Sequence, residues 1–113
     1  MDKKALSTEY TFEFYDGTTT TMTLAFIKLK MLASKNKKLY DRYMQVMTTG
    51  GKDEFDTLTV LYAAYVCAHL GEENILTEDE FIEKCGTDRF ALNDAVTMMT
   101  NPKKRKASEN LSN

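Results

Sequence analysis

The chain has 113 residues, a formal net charge of −2, 42% hydrophobic and 28% charged residues, which suits one soluble globular domain with a single modest core. Two cysteines and one histidine are too few for a disulfide framework or a zinc site, and a reducing, cytoplasmic setting is expected. No apolar run reaches the roughly 18 residues of a membrane span, and the N-terminus lacks the apolar stretch of a signal peptide.

Tyr10-Thr11-Phe12-Glu13-Phe14 alternates apolar and polar residues, so Tyr10, Phe12 and Phe14 share one face of a strand. Asp16-Gly17 signals a hairpin, and the β-branched run Thr18–Thr23 suits the returning strand. A two-residue loop would set Phe14 opposite Thr19 and Phe12 opposite Thr21. A three-residue loop, Asp16-Gly17-Thr18, pairs Phe12 with Met22 and Tyr10 with Leu24, and burial favours it.

From Leu24 the period becomes helical: Leu24, Ile27, Met31 and Phe26, Leu29, Ala33 predict a helix over about 24–34. Asn36 is placed to cap a second helix with Leu39, Tyr40, Tyr43, Met44 and Met47 on its inner face, ending at Gly50-Gly51. Asp53 caps the longest helix, roughly 54–70, whose broad apolar face includes Phe55, Leu58, Leu61, Tyr62 and Tyr65, and Gly71 stops it. Thr77-Glu78-Asp79-Glu80 matches a capping box, with Glu80 and Lys84 at salt-bridge spacing and Phe81, Ile82 and Cys85 facing inward. Thr87 or Asp88 opens a last helix through Phe90, Leu92, Val96 and Met99, which Pro102 terminates. The fold class is therefore α+β and mostly α: an N-terminal β-hairpin followed by four to five helices. The domain covers 1–100, and 101–113 form a basic, polar, disordered tail.

That tail holds four bases and one acid, which leaves a net charge of −5 on the first hundred residues and argues against a nucleic-acid face on the domain. Pro102-Lys103-Lys104-Arg105-Lys106 has the look of a nuclear address or nucleic-acid anchor, but four charges at a polar end usually form a solvated terminus. His69 has no partner fixed by spacing and reads as a helix-end cation. The acids Glu72, Glu73, Glu78, Asp79, Glu80 and Glu83 lack EF-hand spacing, and Gly50-Gly51-Lys52-Asp53 lacks the spacing of a phosphate loop. No catalytic, metal-binding or cofactor-binding set emerges, so the residues describe a binding protein rather than an enzyme. Tyr40, Tyr43, Met44, Met47, Tyr62 and Tyr65 are the candidate contact residues, because tyrosine and methionine serve adaptable interfaces. Core packing competes for at least half of the tyrosines.

Taken together, the hairpin Tyr10–Leu24, the stretch Asp53-Glu54-Phe55-Asp56-Thr57-Leu58-Thr59-Val60-Leu61-Tyr62-Ala63-Ala64-Tyr65, the stretch Leu76-Thr77-Glu78-Asp79-Glu80-Phe81-Ile82-Glu83 and the Lys-rich end resemble the tail assembly chaperones of long-tailed bacteriophages of Gram-positive hosts. The resemblance covers roughly residues 8–106, and its motifs are diffuse. It implies a non-enzymatic protein that coats the tape measure protein in the host cytoplasm and is absent from the mature virion. It further implies self-association, with an exposed hairpin edge as a route, and a frameshifted longer product that engages the major tail protein. Lys103 and Lys104 stand where the slippery codons of such a gene would lie. The competing readings are a small structural tail protein such as a tube terminator, and a DNA-associated regulator using the basic tail.

Overall fold

In the computed structural model, which describes residues 8–101, β1 (Glu9–Glu13) and β2 (Thr19–Thr23) form a two-stranded antiparallel hairpin. Five helices follow: α1 (Phe26–Lys35), α2 (Lys37–Thr49), α3 (Glu54–Ala68), α4 (Glu78–Cys85) and α5 (Arg89–Thr100). The predicted hairpin-plus-helices architecture is the one observed. The tail, with Pro102, Lys103 and Lys104, lies outside the described residues.

The hairpin register differs from both predicted alternatives. Tyr10 pairs with Met22 and Phe12 with Thr20, so the loop is Tyr15-Asp16-Gly17. The Gly17 N–H donates to the Phe14 carbonyl at 2.9 Å, and the Phe14 N–H donates to the Thr18 carbonyl at 2.7 Å. Gly17 is left-handed, with φ of 89°. In this kind of loop the left-handed residue comes last, and that requirement sets the register. Burial could not, because a shift of two residues leaves every side chain on its original face. Phe12, Phe14 and Met22 are indeed buried together.

Local chemistry sets most helix ends. Asn36 accepts the Leu39 N–H, Asp53 accepts those of Phe55 and Asp56, and Asp88 accepts that of Ala91. Thr77 and Glu80 form the reciprocal capping box. Because the box engages Glu80, the expected Glu80–Lys84 pair does not form; Lys84 instead reaches Asp16 at the hairpin tip, 3.1 Å away. The hairpin tip is further tied down by the Tyr15 N–H, which donates to the Lys84 carbonyl at 2.8 Å.

Helix α3 is the axis of the molecule. Nine of its fifteen residues are buried, so it has no solvent-facing stripe, as expected for a helix enclosed by neighbours. It packs against β2, α1, α2, α4 and α5. Helix α5 runs in the same direction, since Arg89 pairs with Glu54 and Asn93 with Thr57. Phe81, wholly buried, joins the two layers: its ring lies 5.8 Å from Phe14 of the hairpin and 5.2 Å from Tyr65 of α3.

Candidate functional site

The six predicted contact residues divide into two sets. Tyr43 and Tyr65 are core residues, 5% and 6% exposed. Tyr62 and Tyr65 sit one turn apart on α3, with stacked rings 6.0 Å between centroids. Both pack against Phe81, and both hydroxyls converge on the loop before α4. Tyr65 accepts the Leu76 N–H and Tyr62 donates to the Leu76 carbonyl, each at 2.9 Å. These two tyrosines therefore hold the α3–α4 loop. Burial raises the Tyr62 and Tyr43 hydroxyl pKa values above the usual tyrosine range, so both stay neutral.

The second set faces outward. Met44 and Met47 are 40% and 43% exposed, which corrects their assignment to the inner face of α2. Leu39 and Tyr43 form that face, and the half-buried Tyr40 lies beside it with its ring 6.4 Å from Tyr43. Tyr40, Met44 and Met47 follow i, i+4, i+7 spacing and so form one stripe along α2. On another side of the same helix, Arg42 grips Glu78 with two hydrogen bonds of 2.8 Å and donates to Thr59, which joins α2, α3 and α4.

Several exposed apolar residues are ones that the periodicity assigns to helices and not to a contact surface. Phe26 and Phe90 are almost fully exposed, and Phe55 and Ile27 largely so. Phe55 leaves the broad inner face predicted for α3. Phe26, Phe55 and Phe90 all occupy the first or second position of their helices, where the helix begins before the core does. The available signal was the surplus of apolar positions on α1, more than one buried face can hold.

Other candidate chemistry is satisfied internally. His69 forms the C-cap of α3; its Nε2 shares a 3.0 Å hydrogen bond with Thr20, and its Nδ1 lies 2.9 Å from Glu72. Cys67 and Cys85 are buried free thiols, and burial pushes their pKa values up to about 11 and about 12, far from a reactive thiolate. A cleft of about 340 Å³ separates the α2–α3 turn from the start of α5. Its polar groups serve one another: Asp53 caps α3, Glu54 pairs with Arg89, and Thr57 donates to Asn93. Among the described residues no group of three or more His, Cys, Asp or Glu side chains is placed to hold a metal, and no helix is long and apolar enough to cross a membrane. The chain matches no protein-family model, no curated protein and no solved structure.

Proposed function

We propose that this chain is a tail assembly chaperone of a long-tailed bacteriophage that holds the tape measure protein soluble in the host cytoplasm before the tail tube closes around it. The observation that carries the reading is the stripe of half-buried Tyr40 and exposed Met44 and Met47 on α2, lying over the core. Methionine offers a flexible, polarisable surface that accommodates varied apolar partners, as a holding protein requires. The order of elements and the Asp53–Tyr65 and Leu76–Glu83 stretches support the same reading through their resemblance to that family. On this reading Tyr43, Tyr62 and Tyr65 shape the surface from beneath, while Tyr40, Met44 and Met47 touch the client. A longer frameshifted product, diverging near Lys103-Lys104, brings the major tail protein to the same complex.

Co-expression with the tape measure protein of the same genome tests the proposal. The client is expected in the soluble fraction only when this chain is present, and the Met44→Ser/Met47→Ser variant is expected to lower that yield. Mass spectrometry of purified virions should not find the chain. A client that is equally insoluble with and without this chain, or a chain abundant in virions, would overturn the proposal.

A further inference from the structure

The charge of the molecule is segregated by element. Residues 26–49, which make up α1 and α2, carry Lys28, Lys30, Lys35, Lys37, Lys38 and Arg42 against the single acid Asp41. Residues 50–101 carry eleven acids and three bases, and residues 8–25 carry three acids and no base. Among the described residues the cations of α1–α2 are thus set between two acidic segments. Arg42 and Lys37 are engaged with Glu78 and Asp41, but Lys30, Lys35 and Lys38 are exposed and form no ion pair among the described residues.

The same corner carries apolar side chains that do not join the core. On α1 the buried positions are Leu29 and Leu32. The opposite side presents Phe26, Ile27 and Met31, which are 89%, 64% and 37% exposed, interleaved with Lys30 and Lys35. Ile27 and Met31 are four residues apart and stack along one line of the helix, with Lys30 beside them. Solvated helix faces usually carry polar residues; an apolar line flanked by unpaired lysines on the outside is a contact surface.

From this juxtaposition we infer that the outer face of α1 binds an acidic amphipathic helix of a protein partner. Its apolar side chains would meet Ile27, Met31 and Phe26, and its flanking carboxylates would meet Lys30 and Lys35. Helix-on-helix recognition supplies the apolar anchors, and charge complementarity selects the partner. The acidic segments 8–25 and 50–101 repel such a helix and so favour this corner over the rest of the described surface. An anionic membrane fits less well, because a flat bilayer extends beyond the corner and meets the acidic elements too, whereas a helix of a few turns need not. The inference rests on the client-holding reading and adds to the α2 stripe an α1 surface and the chemistry of the segment held.

The test uses the full chain and two designed peptides of about 18 residues, long enough to form a short helix on a surface. Both carry the same leucine stripe; one is flanked by glutamates and the other by lysines. Fluorescence titration should show at least a tenfold preference for the glutamate peptide, weakening as salt rises. Lys30→Glu/Lys35→Glu should abolish that preference, and Ile27→Ser/Met31→Ser should weaken the glutamate peptide about tenfold. Because these positions are exposed, far-ultraviolet circular dichroism should leave both variants unchanged.

Equal binding of the two peptides, or unchanged binding by both variants, would overturn the inference. So would α1-dependent binding to vesicles containing phosphatidylserine in place of the peptide, or α1-dependent self-association that excludes it. Failure is distinguishable from failure of the chaperone reading. A tape measure protein kept soluble by both α1 variants leaves that reading standing without this surface. Selective peptide binding together with an insoluble client does the reverse.

Discussion

Of the five glycines, Gly86 is the one whose replacement the fold tolerates least. It ends α4 with φ of 75° and ψ of −147°, a region that residues with a Cβ rarely enter. A Cβ built there would also lie 2.9 Å from the Cβ of Tyr15, closer than such atoms approach. The Tyr15 ring is exposed and can swing away, but its Cβ is fixed by the backbone bond from Tyr15 to Lys84. Gly86→Ala should therefore destabilise the protein by about 1–3 kcal/mol in urea denaturation, from backbone strain with the contact added. The second substitution Tyr15→Ala should restore little, since it removes the ring and keeps the Cβ. Gly17 makes a useful contrast: its φ is also positive, yet an added Cβ meets nothing within 4 Å. Full recovery in the double variant would mean that the ring, rather than the backbone, sets the limit.

Among the connections between elements, the α3–α4 loop is held at its backbone by two side chains of α3. Both backbone groups of Leu76 end on α3, the N–H on the Tyr65 oxygen and the carbonyl on the Tyr62 hydroxyl. A backbone N–H has only one bond to make, whereas a carbonyl keeps a second lone pair for water. Tyr65→Phe should thus cost about 1–3 kcal/mol, and Tyr62→Phe nearer 0.5–1.5 kcal/mol. Amide exchange at Leu76 should quicken in Tyr65→Phe alone; the opposite ranking would show that the loop is held elsewhere. The reach of such contacts also explains what was legible in the sequence. Caps at Asn36, Asp53, Thr77 and Asp88 could be read because donor and acceptor lie within three residues of each other. The hairpin was legible in its face and not in its loop, because alternation fixes parity and left-handed glycine geometry fixes the rest. Lys84 defied its i−4 spacing because a carboxylate 68 residues away was nearer than the one beside it, which the capping box had already taken. The tyrosines were flagged as contact residues since amphipathy is visible in composition; that two of their hydroxyls point at Leu76 is a tertiary fact. Met44 and Met47 were flagged as adaptable surface and are exposed, but the periodicity that placed them on an inner face treats α2 as wider in its burial than it is.

At the level of the whole molecule, three carboxylates fasten separate elements to one another, and acid should loosen all three. Glu78 of α4 holds Arg42 of α2, Glu54 of α3 holds Arg89 of α5, and Asp16 at the hairpin tip holds Lys84 of α4. All three have pKa values below the usual carboxylate range. Glu78 is lowered chiefly by its hydrogen bonds from Arg42. Glu54 is lowered by its own backbone N–H and then by Arg89. Asp16 is lowered to about 2, first by the Thr18 hydroxyl and N–H and then by Lys84. A carboxylate whose folded pKa is depressed contributes stability that is fully present above its unfolded pKa and is lost as pH falls through its folded pKa. Stability should therefore drop on acidification below about pH 4.5, where unfolded glutamates begin to take up protons, and continue to drop towards pH 2 as Asp16 titrates. The slopes of the three groups add only if the elements they join come apart together, as an enclosed α3 with five neighbours makes them do. Urea midpoints measured from pH 7 down to pH 2.5 should show this fall, and Glu78→Gln should lessen it by removing one titrating group while lowering the midpoint at pH 7. A Glu78→Gln protein with the same acid profile as the original would place the acid sensitivity elsewhere. Preference for a glutamate-flanked helix over a lysine-flanked one should fade in the same acid range, as the peptide's own carboxylates protonate.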